Sequence, residues 1–376
     1  MTHGAIGLER SIFANEILTA IGACILIAAL IKNKLKTNEN AVLFLIVLVY
    51  GFSSFLVGHY SNTGATLYQK LRTLPIIYSI LCFFVGYYII HTGLTKRHYG
   101  KLIPALALPA LALGAIIGGK ISPPSTAALT INTTTNSRRK FYIFIISFII
   151  TIETIHQLIL GNGDGSSTIA AMTIFCLIMY KYKEKVFVTI RKINLLVVYF
   201  SILLIAATLK VIAHTYSDFF MQGFSYFGES FDANSMWRLM FWAKTINDMS
   251  AVNWLFGIGL ATPLFNELDP TAFFIIASEP NAIDRPYTLG LHNSILTYLV
   301  RLGSIGLLFL IYVTIKTLKS LSLHNDIKSE ALFVSFCLIL IPALFNVVLE
   351  SPLYAGQFWV ILGICARHQK HMKEAT

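Results

Sequence analysis

Long apolar blocks alternate with short polar ones along this chain. Apolar runs of spanning length occur at about 11–31, 41–58, 76–95, 102–118, 141–161, 168–180, 193–212, 294–315, 330–349 and 352–366. A run near 20 residues crosses a hydrocarbon core as a helix, and amphipathic flanks complete the shorter ones. The pattern predicts an all-α, polytopic membrane protein with about 10–12 transmembrane helices. It changes character once, over 213–291, the longest polar stretch of the chain. The reading is a single integral membrane domain, residues 1–376, with 213–291 inserted as one large folded loop. A lysine cluster and a second apolar run follow 11–31, so that run reads as a first membrane helix and not as a cleaved signal.

Charge sets the orientation. Basic residues cluster between the apolar runs, at Lys32/Lys34/Lys36, Lys96/Arg97/Lys101, Arg138/Arg139/Lys140, Lys181/Lys183/Lys185 with Arg191/Lys192, Lys316/Lys319 and Arg367/Lys370/Lys373. Short loops rich in Lys and Arg stay in the cytoplasm. Placing every cluster there requires the uncharged, poorly apolar residues 121–137 to return through the membrane under a cover of protein or water. That makes about eleven crossings. Residues 213–291 then face the periplasm and the C-terminus the cytoplasm. The loop supports this assignment, because its acidic residues outnumber Arg238, Lys244 and Arg285.

Composition narrows the class further. Hydrophobic residues make up 56% of the chain and charged residues 12%, which excludes an ordinary soluble enzyme. The net charge of +11 is carried by the inward loops, so it does not point to nucleic acid. Cys24, Cys82, Cys176, Cys337 and Cys365 all lie in apolar runs, without disulfide or metal-ligand spacing. They read as packing or lipid-facing residues.

The candidate chemistry gathers at the large loop. Trp237-Arg-Leu-Met-Phe-Trp242-Ala-Lys-Thr-Ile has helical apolar spacing and predicts an amphipathic helix lying on the membrane. Trp254-Leu-Phe-Gly-Ile-Gly259 ends in glycines that permit a tight turn. His292 opens an apolar helix at the water–lipid boundary, where imidazole can take or give a proton. Arg238 and Arg285 fall on the same side, and guanidinium binds phosphate oxygens in a fork. Arg72, near Lys70, adds a third cation there or snorkels to the interface. Glu153 and His156 lie one turn apart inside an apolar run. Arg301 stands about 13.5 Å along the helix from His292, on the opposite face, so an acidic partner such as Glu153 or Glu350 is expected for it. Gly303 and Gly306 would let another helix approach closely.

The combination of Arg238 and Trp242, Trp254-Leu-Phe-Gly-Ile-Gly259, His292-Asn293, Gly303 and Gly306 resembles the O-antigen polymerase and O-antigen ligase superfamily. The likeness is detailed over about 236–308, and its closest block is 292–308. It implies a metal-independent, cofactor-free, inverting glycosyltransferase on the periplasmic face of the bacterial inner membrane. The donor would be an undecaprenyl-pyrophosphate-linked oligosaccharide, and the acceptor a lipid-linked repeat unit or lipid A–core. The bilayer and a chain-length regulator would be further partners, and nucleic acid would not. By position, Arg238 and His292 carry over as catalytic residues, while Arg285, Arg72, Asn293 and Trp242 would bind substrate. One departure concerns the Ser-Arg-Gly that members often carry at the start of a middle helix. Here the place reads Asn162-Gly-Asp-Gly-Ser-Ser-Thr168, without arginine. That tilts the reading toward a polymerase, with the ligase as the alternative. A lipid-linked glycan flippase is the rival from another class, but it would need internal repeats and a charged path open to both faces.

Overall fold

A computed structural model of the chain describes residues 5–6, 12–31, 39–61, 67–90, 166–215, 233–264, 291–324, 326–351 and 354–375. Among these residues the chain is helical, apart from one two-residue antiparallel pair, Ala5–Ile6 with Ile12–Phe13. Three helices are long and apolar enough to cross a membrane: Val42–Ser61, Leu195–His214 and Ser294–Ser322. Shorter apolar helices lie at Ile17–Ala29, Pro75–Tyr88 and Ser329–Ala343. The fold is the all-α, polytopic one expected from the apolar runs. The runs at 102–118 and 141–161, and the proposed return over 121–137, lie outside the described residues.

The described residues fall into two compact units, divided after Glu39, Ile77, Ile193 and Val313. The unit that holds the chain termini is built on helices Ala14–Ile31, Ser166–Lys192, Ile327–Ala343 and Ala355–Ala375. Between Pro75 and Ile90 the chain passes through α, 3-10, α and π geometry in turn. Glycines let that irregular segment meet its neighbours: a Cβ on Gly86 would lie 2.0 Å from the Val360 carbonyl, and one on Gly363 2.1 Å from that of Phe83. The core is aromatic. Phe358 sits between Phe336 and Trp359, with ring centroids at 5.3 and 5.1 Å. Lys183 and Glu330 form an ion pair at 3.3 Å.

Two loop expectations give way here. The basic stretch 181–192 is helical, part of a Ser166–Lys192 helix that departs from helical geometry only at Tyr182. The basic residues after Arg367 likewise continue a helix to Ala375. Hydropathy marks only the apolar part of a helix, whereas Lys, Glu and Arg are good helix formers beyond it.

The second unit carries the candidate chemistry. Helix Leu195–Thr215 packs against helix Ala233–Asn247, which occupies the stretch predicted as amphipathic. Its apolar face does not lie open to a membrane surface. Met240, Phe241, Ala243 and Ile246 are buried in protein, and Phe241 joins a cluster with Met249, Leu264, Leu291 and Val300. The apolar residues of the following turn and of the 294–322 helix supply the cover that the sequence left to lipid. The Lys244 ammonium bonds Asp248 at 2.5 Å, four residues on.

Candidate active site

The site is built where the chain enters helix Ser294–Ser322. Asn293 caps that helix: its Oδ1 accepts from the Leu296 N–H at 3.0 Å, and its carbonyl accepts from the N–H and hydroxyl of Thr297 at 2.9 and 3.0 Å. His292, half-buried, has φ of 50°, the left-handed region that non-glycine residues seldom adopt. Such a conformation costs about 1–3 kcal/mol and persists only where the surroundings over-determine it. They do so here. On one side stands the Asn293 cap. On the other, the Leu291 carbonyl accepts from the Trp242 indole N–H, and Leu291 is fully buried in the Phe241 cluster.

Arg238 lies one turn before Trp242 on the same face of its helix, where residues four apart are neighbours. The Trp242–Leu291 bond therefore ties the face that carries Arg238 to the residue preceding His292. A guanidinium and an imidazole presented from adjoining elements can bind phosphate oxygens and exchange a proton with a hydroxyl. Trp242 and Asn293 also support the backbone on either side of His292. The only N–H of the indole and the Oδ1 of Asn293 are both engaged by backbone, so these two side chains hold His292 in place.

Beneath the corner the 294–322 helix is broken. Gly303 has φ 66° and ψ −169°, a conformation open in practice only to glycine. In a continuous helix the carbonyls of Val300, Arg301 and Leu302 would accept from the residues four further on. Instead Val300 accepts from the Ile258 N–H at 2.8 Å, and Arg301 from the Gly259 N–H at 3.2 Å. The Tyr50 hydroxyl is shared between the Leu302 and Phe256 carbonyls, at 2.9 and 2.8 Å. The Gly-Ile-Gly turn is as tight as expected, with φ of 82° at Gly257 and 93° at Gly259. Gly303 admits the end of the short helix Ala251–Phe256 and the turn that follows it: its Cβ would lie 2.2 Å from the Leu255 carbonyl and 2.5 Å from the Gly257 nitrogen. At Gly306 the nearest atom to an added Cβ is the Leu302 side chain of its own helix, at 2.3 Å.

Arg301 braces the same turn. Its buried guanidinium donates to the Gly259 carbonyl at 3.3 Å and to that of Thr262. Ser54 and Thr73 accept from the N–H groups of Leu260 and Ala261, at 3.3 and 3.0 Å. Arg72 is half-buried and directly precedes Thr73, whose hydroxyl holds the turn. Lys70 is buried and bonds the His59 carbonyl at 3.0 Å. Arg285, Glu153, His156 and residues 162–165 lie outside the described residues.

Tyr50, Thr73 and Lys210 escaped the sequence reading. Lys210 lies inside the apolar run 193–212, and a lone cation in a span is the signal that could have found it. Its ammonium donates to the Met249 carbonyl at 2.6 Å. A cavity of about 370 Å³ opens beside it, lined by Ala207, Lys210, Val211, His214 and Trp254.

Residues 150–311 match the protein-family model described as O-antigen ligase. The match supports the O-antigen polymerase and ligase superfamily. The matched stretch takes in Arg238, Trp242, His292, Asn293, Arg301 and Gly303, and Arg72 falls outside it. It indicates glycosyltransferase-type chemistry on lipid-linked glycans in a bacterial membrane. No curated protein and no solved structure matches the chain.

Proposed function

We propose that the protein is a periplasmic-face polymerase of a bacterial surface polysaccharide, joining undecaprenyl-pyrophosphate-linked oligosaccharide repeat units in the inner membrane. The observation that carries this reading is the strained His292, held by Trp242 and the Asn293 cap next to the Arg238 face, within the O-antigen ligase domain. In the proposed reaction an acceptor hydroxyl oxygen bonds to C1 of the donor sugar from the face opposite the leaving group. The C1–O–phosphate bond breaks, and its electron pair leaves with undecaprenyl pyrophosphate. Arg238 stabilises the charge growing on that pyrophosphate, which is electrostatic catalysis. His292 takes the hydroxyl proton or orients the donor phosphate, and in the second case the proton goes to water. The glycosyl phosphate bond itself supplies the driving force. Arg285 and Arg72 are proposed as further phosphate contacts from the loop 213–291 and from the turn beside Thr73.

The ligase reading places lipid A–core in the acceptor position with the same donor chemistry. The missing Ser-Arg-Gly at 162–168 favours the polymerase. A lipopolysaccharide gel of a deletion strain separates the readings. Loss of a polymerase leaves core carrying a single repeat unit. Loss of a ligase leaves bare core and accumulates lipid-linked polymer. Accumulation of repeat units on the cytoplasmic leaflet would instead indicate a flippase and sink both transferase readings.

A further inference from the structure

We propose that the basic half of the Ser166–Lys192 helix is a docking surface for anionic phospholipid of the cytoplasmic leaflet, formed by Lys181, Lys185 and Lys192 around an exposed Val188. The inference goes beyond the transferase reading and does not depend on it.

Ile174, Ile178, Lys181, Lys185, Val188 and Lys192 follow one another at steps of four, three, four, three and four residues, the spacing of one helix face. All six are exposed. The stripe changes character within a single turn, from isoleucine at 178 to lysine at 181, and Leu177 beside it is exposed as well. Exposed isoleucine and leucine suit acyl chains, so the change marks the level where tails give way to headgroups. Tyr182 stands at that level, 43% exposed, as tyrosines of the membrane interface do. The ammonium groups of Lys181 and Lys185 lie 5.2 and 5.6 Å from its ring centroid, which gathers two positive charges at one point.

The backbone turns at the same residue. Tyr182 has φ −125° and ψ 24°, outside helical geometry. A straight continuation would carry Lys192 about 16 Å beyond Lys181, whereas the headgroup layer is about 6 Å deep. The break lets the following helix run along that layer and not through it. Val188, apolar and 44% exposed between two lysines, fits this course, because it meets the acyl boundary in place of water. The opposite side is anchored in protein. Phe187 is fully buried, edge-on to Phe333 at 4.9 Å, and Lys183 pairs with buried Glu330 at 3.3 Å. The lysine face is thus held outward by fixed contacts behind it.

Charge names the occupant. Glu184 is the only acid among residues 181–192, and it pairs with Lys183 at 3.5 Å, off the stripe. Among the described residues no carboxylate pairs with Lys181, Lys185 or Lys192. A phosphodiester headgroup supplies that anion at the depth where these lysines stand, and lysines near an anionic leaflet each add to the attraction.

The test titrates full-length protein in detergent with phosphatidylglycerol, and native mass spectrometry reads the apparent Kd of the first lipid bound. Lys181→Gln/Lys185→Gln/Lys192→Gln should weaken it at least about tenfold. The corresponding triple arginine variant should stay within about threefold of wild type. Val188→Glu, which sets an acid in the stripe at an exposed position, should also weaken binding, so the idea is testable even if the triple glutamine variant fails to fold. Lys32→Gln/Lys34→Gln/Lys36→Gln removes the same charge from another basic cluster and should leave the Kd within about twofold. An equal loss in that control would reduce the effect to overall charge and overturn the site. Phosphatidylcholine bound as tightly as phosphatidylglycerol by wild type overturns it too, as does an unchanged Kd in the triple glutamine variant and Val188→Glu. Poly-glutamate whose binding is lost in the triple glutamine variant, with phosphatidylglycerol binding intact, would reassign the face to an acidic protein segment.

Discussion

Two helices long and apolar enough to cross a membrane, Leu195–His214 and Ser294–Ser322, have opposite surroundings. In the first, 6% of the apolar window is buried inside the protein; in the second, 78%. The first exposes Leu196, Val197, Phe200, Leu204 and Ile205. The second buries Ser294, Thr297 and Arg301 along with Tyr298 and Leu299, and breaks at Gly303. Lipid tails are as apolar as a leucine side chain, so hydropathy cannot choose between lipid and protein as the neighbour. Small and polar residues make that choice. Released carbonyls and a buried guanidinium are tolerable only where protein donors and acceptors reach them. The candidate chemistry thus stands at the start of the helix that is enclosed by protein, while the other helix leaves its apolar side chains exposed.

The contrast can be broken by substitution. The largest effect is expected at the strained corner. His292→Ala should lower glycan transfer by about 10²–10⁴-fold if the imidazole is a base, with the protein still folded in the membrane. Purified protein and lipid-linked donor give the rate. Wild-type rates for both His292→Ala and His292→Gln would reduce His292 to a turn residue.

Arg238→Lys keeps the charge and removes the fork, so transfer should fall about tenfold or more in the same assay. A wild-type rate at wild-type protein level would refute a bidentate phosphate contact.

Gly303→Ala puts a methyl against the Leu255 carbonyl in a backbone region that alanine avoids. A loss of about 3 kcal/mol or more is expected, seen as a lower unfolding temperature in detergent. An unchanged midpoint would show that the helix can run straight through.

Tyr50→Phe removes the hydroxyl shared by the Phe256 and Leu302 carbonyls, for a smaller loss of about 1–3 kcal/mol. The smallest effect belongs to the other helix. Leu204→Ala, at a position 68% exposed, should stay within about 0.5 kcal/mol of wild type. A loss at Leu204 that matched Tyr50→Phe would mean that this face is covered by protein, and the comparison would collapse.

Much of the local structure was legible beforehand. The 3.6-residue spacing around Trp237 marked the Ala233–Asn247 helix, and the two glycines after Phe256 marked the turn. The Asn293 cap has a sequence signature too, since asparagine before an apolar run is a helix-start signal. The partners of Arg301 were not legible. Two of its acceptors are carbonyls of a turn some forty residues upstream in the chain, and no residue type advertises a carbonyl. Nor could the spacing say that Met240 and Phe241 would be covered by protein and not by lipid, because both covers satisfy the same periodicity.

By itself the sequence determined that the chain is a helical membrane protein, where most helices start, and that Arg238 and His292 belong to one polar region. Those properties follow from local periodicity and transfer free energy, which short windows of sequence contain. Tertiary structure alone decided that Trp242 reaches the carbonyl before His292, that the helix breaks at Gly303 and not at Gly306, and that the Lys210 ammonium meets the Met249 carbonyl. Each depends on which backbone donor or acceptor meets another from a distant part of the chain. Every residue but proline carries the same pair of these groups, so only the folded geometry distinguishes them.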